Sequence, residues 1–187
     1  TYKMIKPDDL LRSNKGIIIV GSSGSGKSTL LHYLTSKILQ ENERFPIYFE
    51  LKSIHIYDFQ NVKNFEEVIF TEGVITPLRL KGKERENLIE ILNYKLQTGN
   101  ITFLLDGLDE ISETTISDIP ILDMFDEFMR YSINRNNRVI ITTRPYAWKS
   151  RRARYPVKEI EILPFSMKQI KRFVDYYYPG NPDSHKF

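Results

Sequence analysis

Residues 21–29 read Gly-Ser-Ser-Gly-Ser-Gly-Lys-Ser-Thr, so the pattern G-x-x-x-x-G-K-[ST] falls on Gly21 to Ser28. The apolar run Gly16-Ile-Ile-Ile-Val20 precedes it, and the helix-like Leu30-Leu31-His32-Tyr33-Leu34 follows. A strand, a glycine loop and a helix start, in that order, build a cradle for phosphate. Gly21, Gly24 and Gly26 permit backbone conformations and close approaches that a Cβ would block. With Ser22, Ser23 and Ser25 between them, the loop turns successive N–H groups inward as an anion-binding nest. Lys27 supplies a point charge for the β- and γ-phosphates, and the Ser28 hydroxyl is the expected Mg²⁺ ligand. Thr29 lies in the first helical turn, where free N–H groups and the helix dipole both favour phosphate. A serine- and glycine-rich linker holding a lysine by accident would lack the flanking strand and helix. The chain is therefore expected to bind a nucleoside triphosphate.

Two further strings carry chemistry. Ile101-Thr-Phe-Leu-Leu-Asp106-Gly-Leu-Asp109-Glu110 sets a carboxylate at the end of an apolar strand. In open α/β sheets ligands bind beyond the carboxyl ends of the strands, so Asp106 is expected to face the glycine loop and hold Mg²⁺ through water. Asp109 and Glu110 are candidates to orient or deprotonate the attacking water, with Asp109 slightly ahead; caps or solvated acids are the bland alternative. Val139-Ile-Ile-Thr142-Thr143-Arg144-Pro145 is another apolar strand, with an arginine at its tip that can reach a γ-phosphate and report its presence. Local pattern alone does not separate that role from a surface arginine.

The elements that position these residues follow from periodicity. Strands are predicted over Gly16–Val20, Pro46–Leu51, Ile101–Leu105 running into Asp106, Arg138–Thr142 and Val157–Leu163. Helices are predicted over Leu30–Asn42, Asn61–Phe70, Glu84–Gln97, Ile119–Asn134 and Ser166–Tyr178, the last capped by Ser166. The Pro179-Gly180-Asn181-Pro182 string ends regular structure. Strands alternating with helices imply a parallel sheet with helices on both faces.

Composition sets the bounds. The chain has 187 residues, enough for one well-packed domain. With 41% hydrophobic and 27% charged residues it reads as globular rather than disordered. It has no cysteine, which suits a reducing interior. No apolar stretch approaches the roughly 20 residues that span a bilayer, and Thr1-Tyr-Lys-Met-Ile-Lys lacks a signal peptide's apolar core. A cytoplasmic location without membrane contact is expected. A net charge of +3 is too small to argue for nucleic acid. The one dense basic cluster, Lys149, Arg151, Arg152 and Arg154, reads first as a solvated loop.

The glycine loop, the Asp106-Gly107-Leu108-Asp109-Glu110 string, Thr142-Thr143-Arg144-Pro145, and Leu163-Pro164-Phe165-Ser166 before an amphipathic helix together resemble a NACHT domain. NACHT domains are a branch of the STAND class of signal-transduction ATPases. The discriminating piece is the small residue directly after the magnesium-binding Asp, followed by further acids. The resemblance runs from Gly16 to Tyr178. It implies a three-layer αβα P-loop NTPase fold with a five-stranded parallel sheet in the order 5-1-4-3-2. It also implies phosphate and Mg²⁺ binding by Lys27 and Ser28, Asp106 as the Walker B acid, Asp109 and Glu110 as the acids of hydrolysis, and Arg144 as the sensor-1 arginine. The cofactors implied are ATP, or ADP, with Mg²⁺.

On this reading residues 1–15 are a lead-in, 16–178 the NACHT-type domain and 179–187 the tail of an excised fragment. Family members usually carry an effector module before this domain, and a helical domain, a winged helix and a sensor region after it. The winged helix typically contributes a histidine to the phosphates, a role not assigned to His185. The implied function is a regulatory switch with slow hydrolysis, acting in immunity, cell death or antiviral defence. Its partners would be its own neighbouring domains and further copies of itself on activation. The richness in Ile, Lys, Asn and Tyr points to a prokaryotic source. Two alternatives stay open: a work-performing AAA+ remodelling module, with Arg151, Arg152 or Arg154 as an intersubunit finger, and a small-molecule kinase with a basic lid.

Overall fold

The computed structural model describes residues 4–13, 16–54, 64–111, 121–149 and 157–177. Five parallel strands form one sheet in the order β2-β3-β4-β1-β5. They are β1 (Ile17–Val20), β2 (Phe45–Glu50), β3 (Ile101–Asp106), β4 (Arg138–Thr143) and β5 (Lys158–Glu161). Read from the other edge, this is the expected order 5-1-4-3-2.

The helices are α1 (Lys27–Glu41), α2 (Phe65–Phe70), α3 (Thr76–Leu78), α4 (Gly82–Gln97), α5 (Ile121–Asn134), α6 (Pro145–Lys149) and α7 (Met167–Tyr177). Alternation along each strand sends successive side chains to opposite faces. Ile17, Ile19, Leu104 and Ile140 pack on one face against Leu31, Leu34 and Ile38 of α1. Ile18, Val20, Ile47, Phe103, Leu105, Val139 and Ile141 pack on the other, against α2, α4 and α5 through Phe65, Leu92, Phe125 and Phe128. The architecture is therefore three-layered. The α5 pattern follows helical spacing, with Ile121, Phe125, Phe128, Met129 and Ser132 all buried. Phe65 stands edge-on to Phe125 at 5.1 Å and Phe103 edge-on to Phe128 at 5.0 Å. Each fully buried ring of this kind contributes about 1.5–3 kcal/mol from burial.

The amino ends of the central strands are tied by side chains. Asn137 donates to the Leu96 carbonyl at 2.7 Å and accepts from the Ile101 amide at 3.1 Å. One Arg44 nitrogen reaches the carbonyls of Gly99 at 2.8 Å and Asn136 at 2.9 Å. These bonds fix the register of β3 and β4, and with it what emerges at their carboxyl ends.

Several bounds differ from expectation. The first helix begins at Lys27, because the glycine loop feeds directly into it. The helix predicted from Asn61 starts at Phe65, with Asn64 as its cap accepting from the Glu67 amide at 3.0 Å; residues 61–63 lie outside the described ones. It then continues past its expected end at Phe70, through a π turn, Thr71–Ile75, into α3. Pro77 is the second residue of α3, directly after the π turn. The short α6 was not expected. The strand predicted over Val157–Leu163 narrows to β5. At α7, Ser166 caps as expected: its hydroxyl accepts from the Gln169 amide at 3.4 Å and its amide donates to the Gln169 side chain at 2.8 Å.

Candidate functional site

All parallel strands point their carboxyl ends at the same edge, and the chemistry sits there. Gly21 follows β1 and its amide donates to the Thr143 carbonyl of β4 at 3.2 Å. Glu50 and Asp106, the last residues of β2 and β3, are register partners. Thr143 ends β4 opposite Val20, so Arg144 leaves the sheet beside the glycine loop. The three expected strings, far apart in the chain, meet around one cavity of about 220 Å³.

The loop takes the geometry its composition dictates. Gly24 and Gly26 have φ of +71° and +91°, the left-handed region that side chains resist. Gly21 is glycine for a different reason: a Cβ there would lie 2.5 Å from the Ser25 hydroxyl. Helix α1 starts at Lys27 with no side-chain cap and no acid in its first turn, leaving its amide N–H groups and positive dipole end for an anion. The Lys27 ammonium donates to the carbonyls of Gly21 at 3.0 Å and Ser22 at 2.8 Å.

Ser23, Gly24, Lys27 and Ser28 line the cavity from the loop side, and Asp106, Asp109, Glu110 and Arg144 from the sheet side. Gly21, Ser22, Ser25, Gly26 and Thr29 do not line it. The first four shape the loop, and the Thr29 side chain is exposed. The Ser25 hydroxyl is buried with no partner among the described residues. Arg151, Arg152, Arg154 and His185 lie outside the described residues, as does the 179–182 string.

Asp106 is held from two sides. Its carboxylate accepts from the Thr142 hydroxyl on β4. The Tyr48 hydroxyl on β2 lies 3.4 Å from its other oxygen and 3.3 Å from the Glu50 carboxylate. Burial, then the charges of Asp106 and Glu50, push the Tyr48 hydroxyl well above its ordinary pKa, so it remains a donor. Lys52 pairs with Glu50 at 2.7 Å, and this bond raises the ammonium's pKa. Gly107 turns the chain with φ +82°, which explains the glycine directly after the acid. The Leu108–Glu110 turn then delivers Asp109 to Arg144: the Arg144 amide donates to Asp109 Oδ1 at 3.0 Å, and Arg144 Nε forms an ion pair with Oδ2 at 3.0 Å.

Four cavity residues, His32, Tyr48, Glu50 and Lys52, were not singled out from the sequence. A signal existed for two of them. Glu50 ends an apolar strand as Asp106 does, and period-2 alternation puts Tyr48 on its face. His32 lies one helical turn after Ser28 and packs on the Tyr48 ring at 4.4 Å.

The residues present fit a polyphosphate with a hard cation. Hydroxyl and carboxylate oxygens suit Mg²⁺, which binds through one or two carboxylates together with substrate phosphates. Ser28 and Asp106 supply such oxygens, and among the described residues no cluster of three or more His, Cys, Asp or Glu forms an all-protein cage. Also among the described residues, no helix is long and apolar enough to cross a membrane.

The family model described as NACHT domain matches residues 15–180. A search of curated proteins gave no match. Among solved structures, AMPPCP-bound DnaA from Aquifex aeolicus is similar, with a TM-score of 0.56 at 16% identity over 94% of this chain and 49% of that one. The E. coli MS115-1 HORMA:CdnC:Trip13 complex is similar at a TM-score of 0.51 and 15% identity, over 92% of this chain and 56% of that one. At such identities the likeness concerns the fold. The chain spans about half the length of these structures.

Proposed function

The chain belongs to the NACHT domain family, a group of P-loop NTPases, and on that premise we propose that it is an ATP-dependent switch within a larger signalling protein. One observation carries the reading: Lys27 and Ser28, Asp106, and Arg144 arrive from the ends of different strands and face one cavity. The DnaA of like fold holds AMPPCP, which supports an adenine triphosphate as the ligand.

In this reading the loop amides and the Lys27 ammonium grip the β- and γ-phosphates. Ser28 and Asp106 would hold Mg²⁺, which would supply positive charge to offset that of the phosphates. Thr142 and Tyr48 keep the Asp106 carboxylate aimed. Glu110 orients the attacking water: its side chain is exposed to the cavity, and among the described residues none pairs with its carboxylate. Arg144 reads the γ-phosphate. A ligand shifts a conformational equilibrium only through contacts that differ between states, and Arg144 supplies one that a diphosphate lacks.

Hydrolysis is slow in this scheme, because it times the switch. Residues 16–178 form the NTPase domain, the rest of the protein supplies effector and sensor, and copies assemble on activation in the cytoplasm, in an immune or antiviral role. Calorimetry of ATP and ADP with Mg²⁺, alongside turnover and mass in solution, tests the proposal. ATP binding with slow turnover is expected. Rapid turnover with nucleotide-driven rings would instead favour a remodelling motor, and absence of any heat of binding would remove the nucleotide reading altogether.

A further inference from the structure

We propose that Asp109 is a positioning residue for Arg144, aiming the outer edge of its guanidinium at the terminal phosphate, and does not act on water. The inference rests on the reading of Arg144 given above and adds to it a division of labour between the two adjacent acids.

Both Asp109 oxygens are committed to one residue. Oδ1 accepts from the Arg144 main-chain N–H at 3.0 Å, and Oδ2 forms an ion pair with its Nε at 3.0 Å. The Asp109 side chain is 4% exposed, so little of it is left to face an attacking water. A general base must lie within hydrogen-bond reach of the proton it takes, which a side chain this closely covered does not offer. Glu110, next in the chain and exposed at the same cavity, meets that requirement.

The hold on Arg144 has a particular shape. Asp109 fixes the residue at its root, through the backbone, and near its head, through Nε. The torsions between are thereby restrained, which lowers the ordering cost of any later contact. Nε belongs to one edge of the planar fork. The end nitrogens Nη1 and Nη2 have no partner among the described residues, and the side chain, 41% exposed, lines the cavity. One edge is anchored while the other is presented.

The same contact ties the tip of β4 to the Leu108–Glu110 turn. A phosphate gripped by Arg144 therefore bears on the turn that carries Glu110.

The test measures AMPPCP and ADP affinities, with Mg²⁺, by calorimetry on the 187-residue chain and its variants. Asp109→Asn keeps size but offers an amide NH₂ to one of two N–H donors, so the clamp opens. It should lower the preference for AMPPCP over ADP roughly tenfold or more, with ADP affinity unchanged. Arg144→Ala should do the same, and the double variant should be no worse than Arg144→Ala alone. Arg144→Lys retains charge and the backbone bond but lacks a second edge, and should also lose the preference. It leaves Asp109 intact, so the idea stays testable if Asp109→Asn folds poorly.

Four results overturn the inference while sparing the reading of Arg144. AMPPCP affinity preserved in Asp109→Asn with only hydrolysis lost would make Asp109 a base. Tighter AMPPCP binding would make it a competitor for the arginine. Equal weakening of both nucleotides with a lower melting temperature would make it purely structural. Full preference in Arg144→Lys would show that the two-edged hold is not needed. If instead Arg144→Ala leaves the preference intact, the phosphate-reading role itself fails, and the positioning role with it.

Discussion

Thr142 and Asp106 stand side by side at the ends of β4 and β3, where the Thr142 hydroxyl donates to the Asp106 carboxylate while accepting from the buried Gly107 amide at 2.9 Å. One hydroxyl therefore aims the acid and satisfies the turn that follows it. Thr142→Val keeps the shape and removes both bonds. The orphaned Gly107 amide should cost about 1–3 kcal/mol, a drop of several degrees in melting temperature at roughly 2–4 °C per kcal/mol. The magnesium-dependent part of ATP affinity should fall as well, measured by titration with and without the metal. An unchanged melting curve would mean that the amide finds another partner.

Lys27 donates to two carbonyls of its own loop, Gly21 and Ser22, so its ammonium is already fixed at the phosphate site. ATP with Mg²⁺ at about one hundred times its Kd should stabilise the fold by about 2.7 kcal/mol. In Lys27→Ala that thermal shift should vanish, while the melting temperature without nucleotide moves far less. A shift of normal size in the variant would place the phosphates elsewhere.

What the sequence revealed of this site divides along a physical line. The loop at Gly21–Ser28 is legible because its function depends on local spacing, and Asp106 because an acid closing an apolar strand is a local pattern too. Glu50 and Tyr48 carry a local signal at the end of β2, but their place beside Asp106, with Lys52 following, depends on the long-range pairing of β2 with β3. The contact of Asp109 with Arg144 spans 35 positions and depends on the αL turn at Gly107, so both residues were visible and their relation was not. The helix expected to end at Phe70 continues through the π turn into α3, past Gly73 and Pro77, residue types that weaken a helix locally.

Glu110 faces the cavity, and none of the described residues pairs with its carboxylate. Glu110→Gln keeps its volume and removes the basic oxygen. ATP hydrolysis should slow by about 10²–10⁴-fold, with ATP and ADP affinities close to those of the parent. Single-turnover assays with excess protein would measure the chemical step directly. Turnover at the parental rate would return the water-orienting role to another group.

Gly99 and Gly82 both have positive φ, +72° and +52°, yet differ in what surrounds them. A Cβ on Gly82 meets nothing within 4 Å, so Gly82→Ala should cost only the left-handed strain, about 1–2 kcal/mol. On Gly99 the same Cβ would lie 2.4 Å from the Arg135 carbonyl, a backbone atom that cannot swing away. Gly99→Ala should therefore be clearly the more destabilising in urea melts. Equal midpoints for the two variants would show that the loop at Arg135 yields.

Glu66, in the first turn of α2, has a pKa raised chiefly by burial, with the charges of Glu127 and Glu67 adding to it and a backbone hydrogen bond and Arg135 opposing. A carboxyl whose pKa is higher folded than unfolded binds a proton more readily in the native state. Its ionised form therefore costs stability at neutral pH, and that cost disappears as pH falls through the raised native value. Glu66→Gln removes the titration. The variant should melt higher than the parent near pH 7, despite losing a favourable charge at a helix start. Its advantage should then shrink toward about pH 4, where the parent's carboxyl is increasingly protonated even in the unfolded chain. Melting temperatures of both proteins across that range supply the check. A gap that stays constant with pH would show that Glu66 is ionised at no cost in the fold, with Arg135 and the helix amides outweighing its burial.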